Sequence, residues 1–356
     1  MTIDPPAAVP ALQPRATAVE TAVDDPIVAA ALAGDEQAFA RLVDRHTREL
    51  RVHCYRLSGS YTEAEDMVQE TFLRAWRRLD TFAGRSTFRA WLYRIATNTC
   101  LDALRGRRRR VLPYDVVPAA DPEGGPPEGA DYACVEPFPD HLLAGDLPGD
   151  AEPGEAAIRQ ETIELAFLAA IQHLPPRQRA ALVLRDVLGW SAKDTADLLG
   201  TSQTAVKSLL QRARPTLRRH LPSRRHEWQP RDDPGVDERV LLQRYMDAHE
   251  QDDVEALAAL LREDVRVSYP PYPIWCDSRG DFIVGSRKFA PPGDIRFVPT
   301  RANMQPACAI YLRAPGDTAF RPVALEVLRI DGDRIAEIVD YGLPDLFPAF
   351  GLPATL

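Results

Sequence analysis

The chain has 356 residues and 32 prolines, and its 43 Lys and Arg residues against 52 Asp and Glu residues give a formal net charge of -9. This length exceeds one ordinary core and predicts two or three domains, while the proline content is typical of linkers. The five widely spaced cysteines contain no C-x-x-C pair, so neither a disulfide framework nor a metal site is indicated, and no cofactor is expected. No apolar run approaches the ~18–20 residues that cross a bilayer, which predicts a cytoplasmic protein with no membrane partner.

Charge is divided unevenly along the chain. The net charge is about +7 for residues 36–110, -10 for 111–160, +5 for 161–228 and -7 for 229–356. Phosphate binding needs local positive potential rather than a positive total, so the two basic segments indicate contact with nucleic acid. Solvated arginine-rich helices would give the same local charge.

Three segments have the composition of loose chain. Residues 1–26 are rich in Pro and Ala and predict a disordered tail, because they have too few large apolar side chains to offset chain entropy. Residues 113–155 predict an acidic Pro/Gly-rich linker, and residues 223–235 predict a second, short linker.

Residues 27–112 are predicted to form an all-helical module. Apolar residues recur there at helical spacing, and core packing is the favoured interpretation of Met67, Phe72, Trp76 and Trp91. The run DMVQETFLRAW that begins at Asp66, with the run FAGRSTFRAWLYRIATN that follows it, resembles region 2 of the extracytoplasmic-function sigma factors of bacterial RNA polymerase.

The resemblance implies two functional surfaces in this module. In that family the D-x-x-Q-E-x-F helix docks on the polymerase clamp, and this implies binding to core RNA polymerase by Asp66, Gln69, Glu70 and Arg74. The loop and helix that follow capture an unstacked base and the non-template strand of the downstream promoter element. The matching positions are Arg85, Ser86, Thr87, Arg94, Asn98 and Asp102, with Arg107, Arg108 and Arg109 meeting duplex phosphate or forming a solvated helix end.

Residues 156–222 are predicted to form a second helical module that contains a helix-turn-helix. A small residue at Ala196 allows two helices to approach, Gly200 makes the turn, and Val206 and Leu209 pack the second helix inward. The position of this motif after the first module, with the run LPPRQR before it, resembles sigma region 4, which reads the upstream promoter element.

Position on the second helix of this motif selects the side chains that face DNA. The face opposite the packed residues carries Gln203, Thr204, Lys207, Ser208 and Gln211, with Arg212 and Arg214 near the phosphates. Pro215 removes a backbone donor from a helix that should be continuous, so the sequence leaves open whether residues 216–219 are helical.

Residues 236–356 are predicted to form an α+β domain. Helical segments come first, followed by alternating strands and a hairpin turn at Asp331-Gly332-Asp333. This order resembles the SnoaL-like fold of the nuclear transport factor superfamily, a cone with an internal pocket. The resemblance implies pocket-lining candidates, which could also be core residues: His249, Tyr269, Tyr272, Trp275, Asp340 and Tyr341. His249 and Asp340 could form an acid-base pair, although no second partner is visible for either.

One short segment of the acidic linker stands out. Residues 136–140 (EPFPD) resemble a P-[YF]-P-D segment between regions 2 and 4 of SnoaL-extended sigma factors. An aromatic ring between two prolines is an anchor of low conformational entropy, so Phe138 is predicted to dock in an apolar groove on region 4 or on the C-terminal domain. The linker's acidity either competes with phosphate for the arginines of residues 107–110 or simply keeps the linker soluble.

The sequence therefore predicts a multidomain protein with two all-α modules and an α+β SnoaL-like cone. The predicted function is that of a sigma factor that binds core RNA polymerase and promoter DNA and directs transcription initiation. The C-terminal domain is expected to regulate in cis, with a small molecule as a candidate ligand and no catalytic residues. The alternatives are a SnoaL-like enzyme tethered to DNA and a ligand-sensing transcription factor; the polymerase-docking helix argues against a factor that binds duplex DNA alone.

Overall fold

The computed structural model describes residues 25–84, 86–121, 132–143, 164–221, 236–289 and 291–356. Two helical modules precede an α+β domain, which is the fold class that the sequence predicts. The predicted tail, apart from its last two residues, lies outside the described residues, as do the whole second linker and Arg85.

The first module consists of four helices: α1 (Pro26–Leu32), α2 (Glu36–Ser58), α3 (Tyr61–Arg77) and α4 (Phe88–Ala103). Each helix begins after a short polar residue whose side chain accepts a hydrogen bond from a first-turn amide: Asp25, Asp35, Ser60 and Thr87. Met67, Phe72 and Trp91 are buried, whereas Trp76 packs its ring on Phe39 and stays 40% exposed. Core packing therefore describes Trp76 only in part.

The predicted linker is folded wherever the structure describes it. Residues 113–121 and 132–143 follow β1 (Arg110–Val111) and include β2 (Ala133–Cys134), and these two short strands pair in parallel. Prolines fix φ and so reduce the entropy lost when a segment packs against a surface. The expectation of a loose tether over 113–155 is wrong for these described parts.

The second module contains α5 (Leu165–Gln172), α6 (Pro176–Leu182), α7 (Ala192–Leu198) and α8 (Gln203–His220). A single π-helical stretch, Val183–Val187, continues α6. Pro215 lies on the exposed side of α8, and the helix continues past it to His220. Residues 216–219 are therefore helical, because the proline removes one backbone hydrogen bond without ending the helix.

The C-terminal domain packs three helices on a mixed sheet. The helices are α9 (Val236–Glu250), α10 (Val254–Leu260) and α11 (Arg279–Phe289). The strands are β3 (Leu261–Ser268), β4 (Trp275–Cys276), β5 (Asp294–Ala302), β6 (Gln305–Arg313), β7 (Arg321–Asp331) and β8 (Arg334–Tyr341). Their order is β4-β3-β8-β7-β6-β5; β3 and β8 run parallel and the other neighbours antiparallel.

The two faces of this sheet belong to different cores. The module-facing face, which carries Leu325, Val327, Val339 and Tyr341, shares one hydrophobic cluster with both helical modules. The inner face carries Leu328 and Ile338 and packs with the domain's own helices in a second cluster. Because side chains alternate along a strand, residues adjacent in sequence lie in different cores.

Candidate polymerase and nucleic-acid interfaces

The predicted polymerase-binding residues share α3. Asp66 and Gln69 are exposed, and Glu70 and Arg74 are half-buried. Leu73 is 52% exposed on the same helix and Trp76 lies one turn further on, so the surface around these polar groups includes large apolar side chains. An apolar patch rimmed by polar residues is typical of a protein interface, and this part of the surface was missed from the sequence.

One arginine connects this surface to the predicted strand-binding helix. Arg74 Nε donates to Glu70 at 2.6 Å on its own helix, and a second nitrogen lies 3.3 Å from Asp102 on α4. The hydrogen bond that Arg74 donates to Glu70 raises the pKa of its guanidinium most; burial opposes this, and the bond to Asp102 raises the pKa further. Arg74 therefore binds both Glu70, which is predicted to contact core polymerase, and Asp102, which is predicted to contact the promoter strand.

The predicted downstream-element residues lie at and along the start of α4. Ser86, Thr87, Arg94 and Asn98 are exposed, and the last two are four residues apart on one side of the helix. Thr87 Oγ accepts the Ala90 amide at 3.1 Å as the helix cap, which leaves its hydroxyl hydrogen free to donate. Exposed polar groups of these types suit an unstacked base and its backbone.

The basic run that follows α4 is partly neutralised within the chain. Arg107 binds Glu63 of α3, and Arg110 lies 3.0 Å from the same carboxylate and 3.3 Å from Glu136 of the predicted linker. Arg108 and Arg109 are exposed. Any duplex phosphate that approaches Arg107 or Arg110 must therefore compete with carboxylates of the same chain.

The helix-turn-helix has the geometry that the sequence predicts. Ala196 of α7 is 3% exposed, and Gly200 makes the turn with φ of +59°, a conformation that disfavours other residues. Of the residues predicted to pack inward, Val206 is buried and Leu209 is half-buried; Leu210 takes the central core position.

The predicted reading residues are all exposed on α8: Gln203, Thr204, Lys207, Ser208, Gln211, Arg212 and Arg214. Arg214 differs from the rest because both its Nε and a terminal nitrogen bind Asp186, at 3.0 and 2.8 Å. This bidentate pair raises the pKa of Arg214 and fixes the direction of its side chain.

The six predicted pocket residues do not form one pocket. Tyr341 lies on the module-facing face, opposite to Asp340, and Tyr272 is 60% exposed. Trp275 packs against Tyr114 and donates to the Val117 carbonyl at 2.8 Å, so it joins the domain to the predicted linker.

The remaining predicted pocket residues face the inner core, but the proposed acid-base pair is absent. His249 packs against Tyr245, Phe282 and Phe297, and its Nε2 has no hydrogen-bond partner among the described residues. Burial lowers the pKa of His249 to about 4, so it stays neutral. The neighbours of Asp340 are Glu326 and Tyr269 instead.

Three parts of the chain meet at the corner between α2 and α3, residues 55–62. Arg179 of α6 donates to the Leu57 carbonyl as well as to three carbonyls at the end of α5. The ring of Tyr93 on α4 lies 5.4 Å from that of Trp190. These contacts pack the two helical modules directly against each other.

The C-terminal domain reaches the same corner through Asn303, in the turn between β5 and β6. Asn303 Nδ2 donates to Tyr55 Oη at 2.8 Å, and Tyr55 Oη donates to the Glu136 carbonyl at 2.7 Å. The Phe138 amide donates to Asn303 Oδ1 at 2.8 Å, and the Asn303 amide returns a bond to the Phe138 carbonyl at 2.9 Å.

The Phe138 ring is fully buried, as its predicted role as an anchor requires, but in a different groove. Its centroid lies 4.7 Å from that of Tyr55 and 5.7 Å from that of Tyr61, both in the first module. The backbone of Phe138 binds Asn303 of the C-terminal domain, whereas the aromatic neighbours of its ring belong to the first module. The groove exists because helices distant in sequence meet there, which local sequence does not reveal.

Comparison with known proteins agrees with this architecture. The family model for Sigma-70 region 2 matches residues 42–110, and that for Sigma-70, region 4 matches residues 164–217. The solved structure of the extracytoplasmic function sigma factor SigJ of Mycobacterium tuberculosis aligns with 88% of this chain and 99% of its own, with a TM-score of 0.54 and 20% identity. That likeness extends the shared fold into the C-terminal domain. Within the described part of the chain, no helix is long and apolar enough to cross a membrane.

Two curated relatives are similar over different lengths. The ECF RNA polymerase sigma factor SigE of Mycolicibacterium smegmatis is 36% identical over 217 residues, which are 60% of this chain and 70% of the relative. The ECF RNA polymerase sigma factor SigG of Mycobacterium tuberculosis is 44% identical over 322 residues, which are 89% of this chain and 85% of the relative. The chain therefore belongs to the extracytoplasmic-function sigma factors, which bind RNA polymerase and recognise promoter DNA.

Proposed function

We propose that the described surfaces divide the work of initiation among them. The α3 surface around Asp66, Gln69, Glu70 and Arg74 binds core polymerase, and the exposed side of α4 holds the opened strand. The exposed side of α8 reads the upstream element, with Gln203 and Thr204 at base edges and Lys207 at phosphate. The chemistry of RNA synthesis belongs to the polymerase, so this chain needs no catalytic residue of its own.

The C-terminal domain, in this proposal, regulates the sigma modules in cis by holding them closed. The observation that carries the proposal is Asn303, which bonds at once to Tyr55 of region 2 and to Phe138 of the segment between the regions. Asp140 adds to this contact, since its carboxylate accepts the Met304 amide at 2.7 Å and pairs with Arg301 at 3.1 Å. The module-facing face of the sheet shares a hydrophobic cluster with both helical modules, so a domain held in place by Asn303 restrains the separation of regions 2 and 4.

A closed arrangement opposes promoter binding for two physical reasons. Regions 2 and 4 must reach two promoter elements that are separated along the duplex, whereas here their helices share one hydrophobic cluster. Glu136 also forms an ion pair with Arg110, which neutralises a positive charge that would otherwise attract phosphate. Release of the Asn303 contact is therefore expected to favour promoter binding.

Transcription in vitro with core polymerase and a target promoter tests this. Asn303→Gly removes the amide side chain but keeps a residue suited to the positive φ of 55° at this turn. We expect about fivefold to thirtyfold more transcript, since the side chain makes two hydrogen bonds and each is worth ~1 kcal/mol net in a two-state equilibrium.

The matched control is Asp333→Gly, at an exposed position of the turn between β7 and β8. It should transcribe like the unaltered protein. Truncation after Pro230 removes the whole C-terminal domain and should raise transcription at least as much as Asn303→Gly. Equal activity of the full-length and truncated proteins, at matched concentration and salt, would refute regulation in cis.

A further inference from the structure

Three polar side chains form a row across the inner face of the C-terminal sheet. Cys308 of β6 is directly opposite Glu326 of β7, and Glu326 is directly opposite Asp340 of β8. Residues opposite each other on neighbouring strands point to the same face, about 5 Å apart at Cβ. Cys308 Sγ lies 3.6 Å from a Glu326 oxygen, within the range of a sulfur hydrogen bond.

This row lacks a positive charge. Glu326 is 5% exposed, and among the described residues neither it nor Asp340 forms an ion pair with any Arg, Lys or His. Glu337, on the module-facing face of β8, is buried to a similar degree but pairs with Arg329 at 2.9 Å. Burial, and then the nearby Asp340 charge, raises the pKa of Glu326 to about 8; burial raises that of Asp340 to about 7.

Buried polar atoms around the row lack hydrogen-bond partners. Tyr245 of α9 is fully buried beside Glu326, Cys308 and Asp340. Its Oη is close enough to Glu326 to influence the pKa of that carboxyl, yet it makes no hydrogen bond of good geometry among the described residues. The same holds for Asp340 Oδ1, and the half-buried Tyr269 faces the two carboxyls as well. Unpartnered buried polar groups are rare in folded proteins and indicate that water or a ligand completes the site.

We propose that Glu326, Asp340 and Tyr245 bind a small organic ammonium ion within the C-terminal domain. The site offers carboxylate and phenol oxygens as acceptors but no cationic side chain, so the complementary ligand is a compact cation with several N–H donors. An ammonium group supplies three donors, and its charge permits both carboxyls to ionise. Binding therefore releases protons from the pair.

The probe is n-propylammonium chloride, added to the full-length protein while thermal unfolding is followed. We expect a saturable rise in Tm of about 2–4 °C at pH 8. Because both carboxyls lose a proton, the apparent Kd should fall about a hundredfold for each unit of pH increase below pH 7. It should fall about tenfold between pH 7 and 8 and level off above about pH 8. Propan-1-ol and potassium chloride at the same concentrations should have no such effect.

The double variant Glu326→Gln with Asp340→Asn keeps the shape of the site and removes both ionisable groups. It should fold and lose the response to n-propylammonium, whereas the control Glu337→Gln, at the buried carboxyl of the opposite face, should keep it. The proposal is overturned if n-propylammonium does not raise Tm at pH 8, if potassium chloride or propan-1-ol raises it equally, or if the double variant responds undiminished.

Discussion

Each face of the C-terminal sheet carries a buried glutamate, and the two glutamates have different surroundings. Glu337, on the module-facing face, is paired with Arg329, whereas Glu326, on the inner face, is buried without a cationic partner in the described part of the chain. The module-facing face joins the core shared with regions 2 and 4, and the inner face forms a core of its own. One face therefore serves assembly, and the other keeps a costly polar cluster that assembly does not require.

This difference shows that one strand can contribute to two cores, because its side chains point alternately to the two faces of the sheet. In β8, Val339 and Tyr341 pack towards the modules, while Asp340 between them faces inward. A change on the inner face is thus only one residue away from the contacts that hold the sigma modules. We expect substitutions on the two faces to differ in what they alter: closure of the modules on one side, proton and cation binding on the other.

The largest expected effect is on the assembly side. Phe138→Ala removes a fully buried ring from between Tyr55 and Tyr61, and we expect a loss of about 3–5 kcal/mol in the free energy of unfolding. Limited proteolysis should show faster cleavage between Pro113 and Pro153, and basal transcription should shift. Val116→Ala, at an exposed position of the same segment, is the control. If the stability and the cleavage rate were unchanged, the segment that contains Phe138 would act only as a tether between the modules.

The inner face should respond to pH instead. The native-state pKa values of Glu326 and Asp340 lie above the ordinary values of 4.5 and 3.8, so the folded protein binds more protons than the unfolded chain between these limits. Stability contributed by this pair therefore falls as pH rises from about 5 to 8. The double variant Glu326→Gln with Asp340→Asn should lose this slope and gain several kcal/mol at pH 8 in denaturant titrations, since each unit of pKa shift corresponds to ~1.4 kcal/mol. An identical slope in both proteins would contradict the inward, cation-free placement.

The exposed surface of α3 lies outside the C-terminal sheet, so substitutions there should act independently of both faces of that sheet. Gln69→Ala combined with Glu70→Lys changes the exposed side of α3 and is expected to weaken binding to core polymerase about tenfold, while thermal unfolding stays the same. Co-purification with core polymerase measures the change. Asp44→Lys, an exposed acidic position on α2, controls for net charge. Equal recovery of polymerase by both variants would disprove the assignment of α3.

The smallest effects on affinity are expected for single substitutions on α8, which should change DNA binding only. Lys207→Ala should lower affinity at all promoters and reduce the slope of log affinity against log salt by about 1, as for one lost phosphate contact. Gln203→Ala should instead relax preference at one base pair by about 1–3 kcal/mol. Fluorescence anisotropy with promoter duplexes separates the two outcomes. Uniform losses from both changes would show that neither residue reads a base.

Much of the fold follows from local pattern. Helical spacing of apolar residues predicts both helical modules, and the run from Asp66 to Trp76 resembles the family whose region 2 model matches residues 42–110. The alternation around Asp331-Gly332-Asp333 predicted the β7–β8 hairpin. These signals are strong because helix and strand periods are properties of the backbone itself.

The site in the C-terminal domain was harder to predict. The resemblance to the SnoaL-like fold implies that Tyr341 and Tyr272 line a pocket with Asp340, yet Tyr341 lies on the opposite face of the sheet and Tyr272 is exposed. Glu326 was missed, although a lone carboxylate within the apolar run VALEVLRI is a visible signal. Its partners Cys308 and Tyr245 could not be found, since they depend on strand register and on which helix covers the sheet.

The sequence by itself determined the family, the three-part architecture and the exposed sides of α3, α4 and α8, because these depend on periodicity and on motifs within single helices. The tertiary structure decided how the acidic segment folds and where Phe138 docks. It also decided that Asn303 joins the C-terminal domain to Tyr55, across 248 residues of chain. Contacts of that kind depend on the packing of whole modules, and side chains so distant in sequence leave no local pattern that could reveal them.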